Sequence, residues 1–224
     1  MPRAGLSPEA VVAIGLDVVD AGGPGGFERL TLAAVAERAG VAVPSLYKHV
    51  GGLDDLRRRI ATESVRALDE VVAEANSGLA ATSRSGTGSA DTDDGSGAAA
   101  LRALARGIRS FALAHPGRYA AVQFAPTQLR DGAAGDGSAA GDALAAAAAA
   151  LLGRLDDALR AQGLPEACLV DGVRLLRSSV HGFVALEQGG GFGLPDDLDR
   201  SFDVVVEAMV AGVERLRGAS AISR

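Results

Sequence analysis

Apolar residues recur along this chain at helical spacing, and no stretch carries the alternation of a strand. Ser7-Pro8-Glu9 supplies an N-cap, a proline at the first helical position and an acid in the first turn. Behind them Val11, Val12, Leu16, Val18 and Val19 make a wide apolar face that ends at Gly22-Gly23. After a loop with Gly25 and Gly26, which Phe27 is expected to anchor to the core, Leu32, Val35, Ala36 and Ala39 fall at i, i+3, i+4 and i+7. Thr31 stands where an N-cap is needed, and Gly40 where a helix stops in the left-handed conformation. Val41 plugs the gap before a second helix from about Val43, with Pro44 in its first turn and Leu46 and Val50 facing inward.

Gly51-Gly52 breaks the chain, and Leu53-Asp54-Asp55 opens a long helix in which Ala61, Val65, Leu68 and Val72 share a face to about Ala75. The stretch 77–97 is Gly, Ser, Thr and Asp without periodicity, which predicts a disordered surface loop. Further helices are expected over 98–114 (Leu101, Leu104, Ile108, Phe111) and from Pro116 to about Phe124. A glycine-rich loop, Gly132–Gly141, follows, and then a helix from Asp142, as its cap, to Gln162. Within it the six alanines Ala145 to Ala150 favour helix and permit close approach. Another helix is expected from Leu164-Pro165-Glu166 to Gln188, and a last one from Pro195-Asp196-Asp197. The reading is an all-α protein, with a three-helix helix-turn-helix domain at 1–55 and a larger helical domain at 56–224.

A helix, a glycine turn and a second helix with polar residues outside is the plan in which the second helix enters the DNA major groove. The outward set suits that role. Lys48 and His49 can neutralise phosphates, Tyr47 can donate to a phosphate oxygen, and Thr31 and Ser45 are of a type that reaches phosphates or base edges. Val43 and Pro44 can pack on bases or a thymine methyl. The same pattern also suits a surface helical hairpin in any α-helical protein, and these residues alone leave both open.

Thr31, Val35-Ala36, Ala39-Gly40-Val41, Leu46-Tyr47-Lys48-His49-Val50 and Leu56 resemble the signature of the TetR family of transcriptional regulators. The chain departs from that pattern at Leu53, where the family often has a lysine, and at Val50, where it has an aromatic residue. Val180-His181-Gly182 and the run from Phe111 through His115-Pro116-Gly117 to Tyr119 resemble a subgroup with a Trp-His-Gly motif, here without its tryptophan. The resemblance implies a homodimer on double-stranded operator DNA, a repressor released by a small-molecule effector bound in a C-terminal ligand-binding and dimerisation domain.

Composition narrows the alternatives. Hydrophobic residues make 48% of the chain and aromatics only 4%, so the core must be aliphatic. No apolar run approaches a membrane span, Met1–Gly5 is too short and polar to be expected as a signal peptide, and one cysteine, Cys168, cannot form an internal disulfide. A cytoplasmic protein with no membrane association is expected. The net charge is −6, yet residues 1–60 hold seven cationic and seven acidic side chains, so the excess of acid lies beyond them. A neutral end with a cationic tip on an acidic body suits a protein that presents one end to DNA. Lys48 is the only lysine.

Candidate chemistry is sparse. His49, His115 and His181 have no Cys or carboxylate at ligand spacing, so no metal site is expected, nor any cofactor. Ser178 and Ser179 lack a base at catalytic spacing, and no catalytic set or phosphate-cradling loop stands out, so an enzyme is not expected. Phe111, Tyr119, Phe124 and His181 are the candidates for an effector pocket; the same aromatics also serve a core, and His181 also reads as a hydrogen-bonded core histidine. The small stripe Gly172, Leu175, Ser179, Gly182 and Leu186 is the candidate for the dimer interface. The other class these residues leave standing is an α-helical small-molecule carrier or enzyme with an incidental helix-turn-helix.

Overall fold

In the computed structural model, which describes residues 6–84, 93–130, 138–194 and 197–222, those residues form helices and connecting turns without a strand. The helices are α1 (Pro8–Ala21), α2 (Leu32–Ala39), α3 (Val43–Leu46), α4 (Leu53–Arg84), α5 (Asp93–Ala114), α6 (Pro116–Arg130), α7 (Ala139–Ala161), α8 (Leu169–Gln188) and α9 (Leu198–Ile222). They group into two compact units, Met1–Ala67 with Ala114–Ala150, and Leu68–Leu113 with Leu151–Arg224. The unit that holds the helix-turn-helix is therefore larger than residues 1–55: it adds the start of α4, all of α6 and the start of α7.

The first unit is built around α1. Ser7 caps it by accepting from the Ala10 N–H at 3.2 Å. Val11 and Val19 are fully buried with Leu30, Val35, Leu46, Leu56 and Ile60, and Phe27 is buried as expected. Helix α4 crosses α1 closely because Gly15 has no side chain, and a Cβ there would lie 2.6 Å from Ile60 Cδ1. Helix α6 seats on the end of α1 in the same way. A Cβ at Gly117 would overlap the Val19 carbonyl, and so would one at Gly26. The contact is fastened by Asp20. Its Oδ1 accepts from the Arg118 backbone N–H at 3.1 Å, which caps the start of α6 with a carboxylate. Its Oδ2 lies 2.7 Å from Arg118 Nε and 3.3 Å from His115 Nδ1.

The second unit joins α5, α8 and α9 over Leu101, Leu104, Leu176, Val180, Phe183, Phe202 and Met209. A row of arginines on α5 ties it to the other two helices. Arg102 pairs with Glu207, Arg106 with Asp203, and Arg109 with both Glu187 and Asp199. The pairs differ in weight. Arg106 and Asp203 are each more than half exposed, where water screens them. Arg109 and Glu187 are each 12% exposed and form two parallel bonds, at 2.6 and 2.9 Å. The Arg109 guanidinium also lies 4.8 Å from the Phe202 ring and 5.6 Å from the Phe183 ring.

Several sequence expectations need correction. Residues 77–84 and 93–97 are helical rather than loop, while 85–92 lie outside the described residues. Extending an already formed helix costs far less than starting one, so weak helix formers follow the helix they adjoin. For the same reason α6 runs past Phe124 to Arg130. Helix α7 starts at Ala139, capped by Ser138 (Gly141 N–H to Oγ, 3.1 Å), which places Asp142 in its first turn and shortens the expected Gly132–Gly141 loop. Residues 131–137 of that loop lie outside the described residues, as do Pro195 and Asp196. Asp197 does cap α9, accepting from Asp199 N at 3.0 Å and Arg200 N at 3.2 Å. A 3₁₀ turn, Glu166–Cys168, precedes α8.

Two comparisons test this packing in urea melts. Gly117→Ala should cost about 3 kcal/mol, because backbone atoms of α1 cannot yield. Gly153→Ala, in mid-helix with open space around it, should instead stabilise by about 0.8–1 kcal/mol. Arg109→Ala should cost about 3–5 kcal/mol by leaving Glu187 buried and unpaired, and Arg106→Ala about 0–1 kcal/mol. Equal losses for the two arginines would show that burial does not set their weight.

Candidate nucleic-acid interface

The helix-turn-helix is assembled from local bonds that the sequence dictates. Thr31 Oγ1 accepts from the Ala34 N–H at 3.2 Å and starts α2. Gly40 ends it at φ 66°, ψ 33°, a left-handed conformation that a Cβ disfavours. There the Gly40 N–H meets the Glu37 carbonyl at 3.1 Å and the Val41 N–H meets that of Ala36 at 3.0 Å. The turn aims the chain into α3, whose Pro44 sits in the first turn. Helix α3 is only Val43–Leu46, after which His49 and Val50 both donate to the Leu46 carbonyl, at 2.8 and 3.0 Å.

Leu46 and Val50 are buried, and that fixes which side of this segment faces solvent. Pro44, Tyr47 and Lys48 are exposed, Tyr47 by 58%, and Val43, Ser45 and His49 are half-buried beside them. Thr31 is exposed at the head of α2 while its hydroxyl serves the cap. The candidate DNA residues thus lie within one short module, with an ammonium, a phenol and a hydroxyl at its surface. Beyond them, Asp55 accepts from the Gly51 N–H at 2.9 Å and so shapes the turn into α4. Arg57 Nη2 donates to the Glu28 carbonyl at 3.0 Å and ties α4 to the loop before α2. Sequence reading missed that tie because its ends lie 29 positions apart.

The four candidate pocket residues are distributed over both compact units. In the first, Tyr119 is buried, and the half-buried Phe124 packs against Phe27 with ring centroids 5.2 Å apart. Phe124 is thereby committed to the loop that precedes α2. In the second, Phe111 is buried and His181 is exposed on α8. His181 is therefore not a core histidine, since the buried face of α8 is set by Leu176, Val180, Phe183 and Val184. Partial desolvation and then the Arg177 cation hold its pKa below the usual histidine value.

The expected interface stripe also divides. Gly172 is buried within its own chain, where a Cβ would lie 2.6 Å from Leu164 and 3.0 Å from Leu159, and Leu175 packs over Gly212. Ser179 is half-buried, a Cβ on Gly182 would meet open space, and Leu186 is 51% exposed. The sequence reading did not single out the companion face on α9, where Val204, Ala208 and Ala211 are exposed at i, i+4 and i+7. Cys168 is half-buried beside the Leu216 carbonyl, at the cap of α8 rather than within it.

Among the described residues no three His, Cys, Asp or Glu side chains stand close enough to hold a metal ion, and no helix is long and apolar enough to cross a membrane.

Comparison with known proteins agrees with this geometry. Residues 24–60 match the family "Bacterial regulatory proteins, tetR family", and residues 101–209 match "Tetracyclin repressor-like, C-terminal domain". An uncharacterized HTH-type transcriptional regulator of Mycobacterium tuberculosis is 33% identical over 94% of this chain and 83% of its own length. Among solved structures, a protein of unknown function from Rhodococcus superposes with a TM-score of 0.67 at 18% identity, covering 95% of this chain and 98% of that one. A TetR variant of Acinetobacter baumannii in complex with minocycline superposes with a TM-score of 0.58 at 20% identity, covering 95% and 99%. With its helix-turn-helix, its all-helical body and these relatives, the chain belongs to the TetR family of bacterial transcriptional regulators.

Proposed function

We propose that this regulator is a homodimeric, cytoplasmic repressor that holds its operator through two copies of the module around α3 and releases it when a small, largely apolar molecule binds. The observation that carries the DNA reading is the exposed set Pro44, Tyr47 and Lys48 on a segment pinned from beneath by Leu46 and Val50. Thr31, Ser45 and His49 complete the surface, with Val43 at the groove-facing start of α3. A single module of this size buries little surface on DNA, so specificity calls for two half-sites about 34–36 Å apart.

The dimer reading is supported by apolar surface that the second unit leaves bare. Val204 is 62% exposed on α9 with Ala208 and Ala211 exposed at i+4 and i+7, and on α8 Gly182 faces open space. A second copy of the same face would cover it by two-fold symmetry. The effector reading is supported by the minocycline complex of the Acinetobacter baumannii relative and by an aliphatic interior suited to an apolar guest. Phe111 is retained as a candidate lining residue in the second unit, Tyr119 and Phe124 belong to the first unit, and His181 lies on the exposed side of α8. Effector and DNA would then oppose each other by one shared factor, typically about 5–150-fold.

Gel shifts against DNA flanking the protein's own gene test the first part. Lys48→Ala should weaken binding to all sequences and lower the salt slope by about one phosphate. An unchanged affinity and slope would refute this docking. Gly182→Leu tests the second part without loading the subunit interior, because the new side chain enters open space. Sedimentation should show a dimeric wild type and a folded, monomeric Gly182→Leu that no longer shifts operator DNA. A monomeric wild type at micromolar concentration would remove the dimer.

A further inference from the structure

The first unit contains a cavity of about 470 Å³ lined by Phe27, Glu28, Arg57, Ala120, Gln123 and Phe124. It opens where α4, α6 and the loop before α2 meet, apart from the α3 surface. Its size falls within the usual range for small-molecule sites, about 300–1,000 Å³. Its lining is unevenly satisfied. Arg57 donates Nη2 to the Glu28 carbonyl, yet its Nε is buried without a hydrogen-bond partner. None of the ion pairs among the described residues involves Arg57. A buried guanidinium N–H without an acceptor is costly, so a turn of the Arg57 side chain onto an acceptor in the cavity would be favourable.

The other walls say what kind of occupant. The half-buried Phe124, tilted against the buried Phe27, offers ring surface to a flat apolar body. Gln123 adds an amide that can donate. A guanidinium answers a carboxylate better than a neutral acceptor, with charge-assisted and often forked bonds. The Glu28 side chain is exposed, where solvent weakens its repulsion of an anion. We infer that this cavity is a binding site for a small aromatic carboxylate, held by Arg57 and Gln123 with its ring against Phe27 and Phe124. The ligand would compete for the guanidinium that ties α4 to the Glu28 carbonyl, in the loop that leads into Thr31 and α2.

The assignment concerns binding alone and is tested on the full chain without DNA, so it stands or falls separately from the repressor reading. The probe is sodium benzoate, titrated at constant ionic strength against benzyl alcohol as its neutral counterpart. Protein NMR should show saturable shifts at Phe27, Gln123 and Phe124 with benzoate, and affinity at least about 10-fold weaker for benzyl alcohol. Arg57→Gln should weaken benzoate by at least about 10-fold. Ala120→Leu, which fills the cavity and keeps the guanidinium, should abolish the shifts while the thermal melt stays cooperative. Because these two variants act through different atoms, Ala120→Leu decides the matter if Arg57→Gln fails to fold. The site is overturned by benzoate binding that survives Ala120→Leu, by equal affinity for benzyl alcohol, or by no saturable shift, the outcome expected if water alone serves Arg57.

Discussion

At the last turn of α1 three segments meet backbone to backbone. The Val19 carbonyl has Gly26 against it from the following loop and Gly117 against it from the start of α6. Neither approach tolerates a side chain, and the neighbouring Asp20 carboxylate caps the helix that arrives there. The first unit depends on this junction. A helix-turn-helix of three short helices has little core of its own, and the junction lends it α6, with Tyr119 and Val122 buried and Phe124 against Phe27.

The second unit is held differently. Its aliphatic residues fill the space between α5, α8 and α9, while arginines at 102, 106 and 109 link those helices, the buried Arg109 with most weight. A chain with few aromatics has few large, shaped side chains to specify register. Directional ion pairs supply that specificity, and Arg109 does so most firmly, because Glu187 and two phenylalanine rings enclose it.

The sequence made the helices legible wherever the decision was local. Ser7, Thr31 and Gly40 act as their types suggest, and the inward places of Leu46 and Val50 follow from helical spacing alone. What the sequence hid was long-range. Gly117 falls inside the helix expected from Pro116, and only packing against α1 shows why that position excludes a side chain. Composition misled at 77–84, where a helix already under way continued through residues that would not start one. His181, set among apolar neighbours in the sequence, lies on the exposed side of α8, and periodicity could not say which of two stripes a partner helix covers. The Arg57 cavity carried no signal, since its walls come from three separate stretches.

The exposed ammonium at Lys48 has a chemical consequence. Every other cationic side chain that is always charged is an arginine, so no second lysine competes for an acylating reagent. An amine-selective label would therefore mark a single side chain, beside Tyr47 on the outer side of the helix-turn-helix, with the chain's α-amine as its competitor. It would erase a charge there while every guanidinium that braces α5 stayed intact. With the α-amine blocked, the protein thus carries one side-chain handle, placed where a fluorophore or crosslinker would report on whatever approaches that surface.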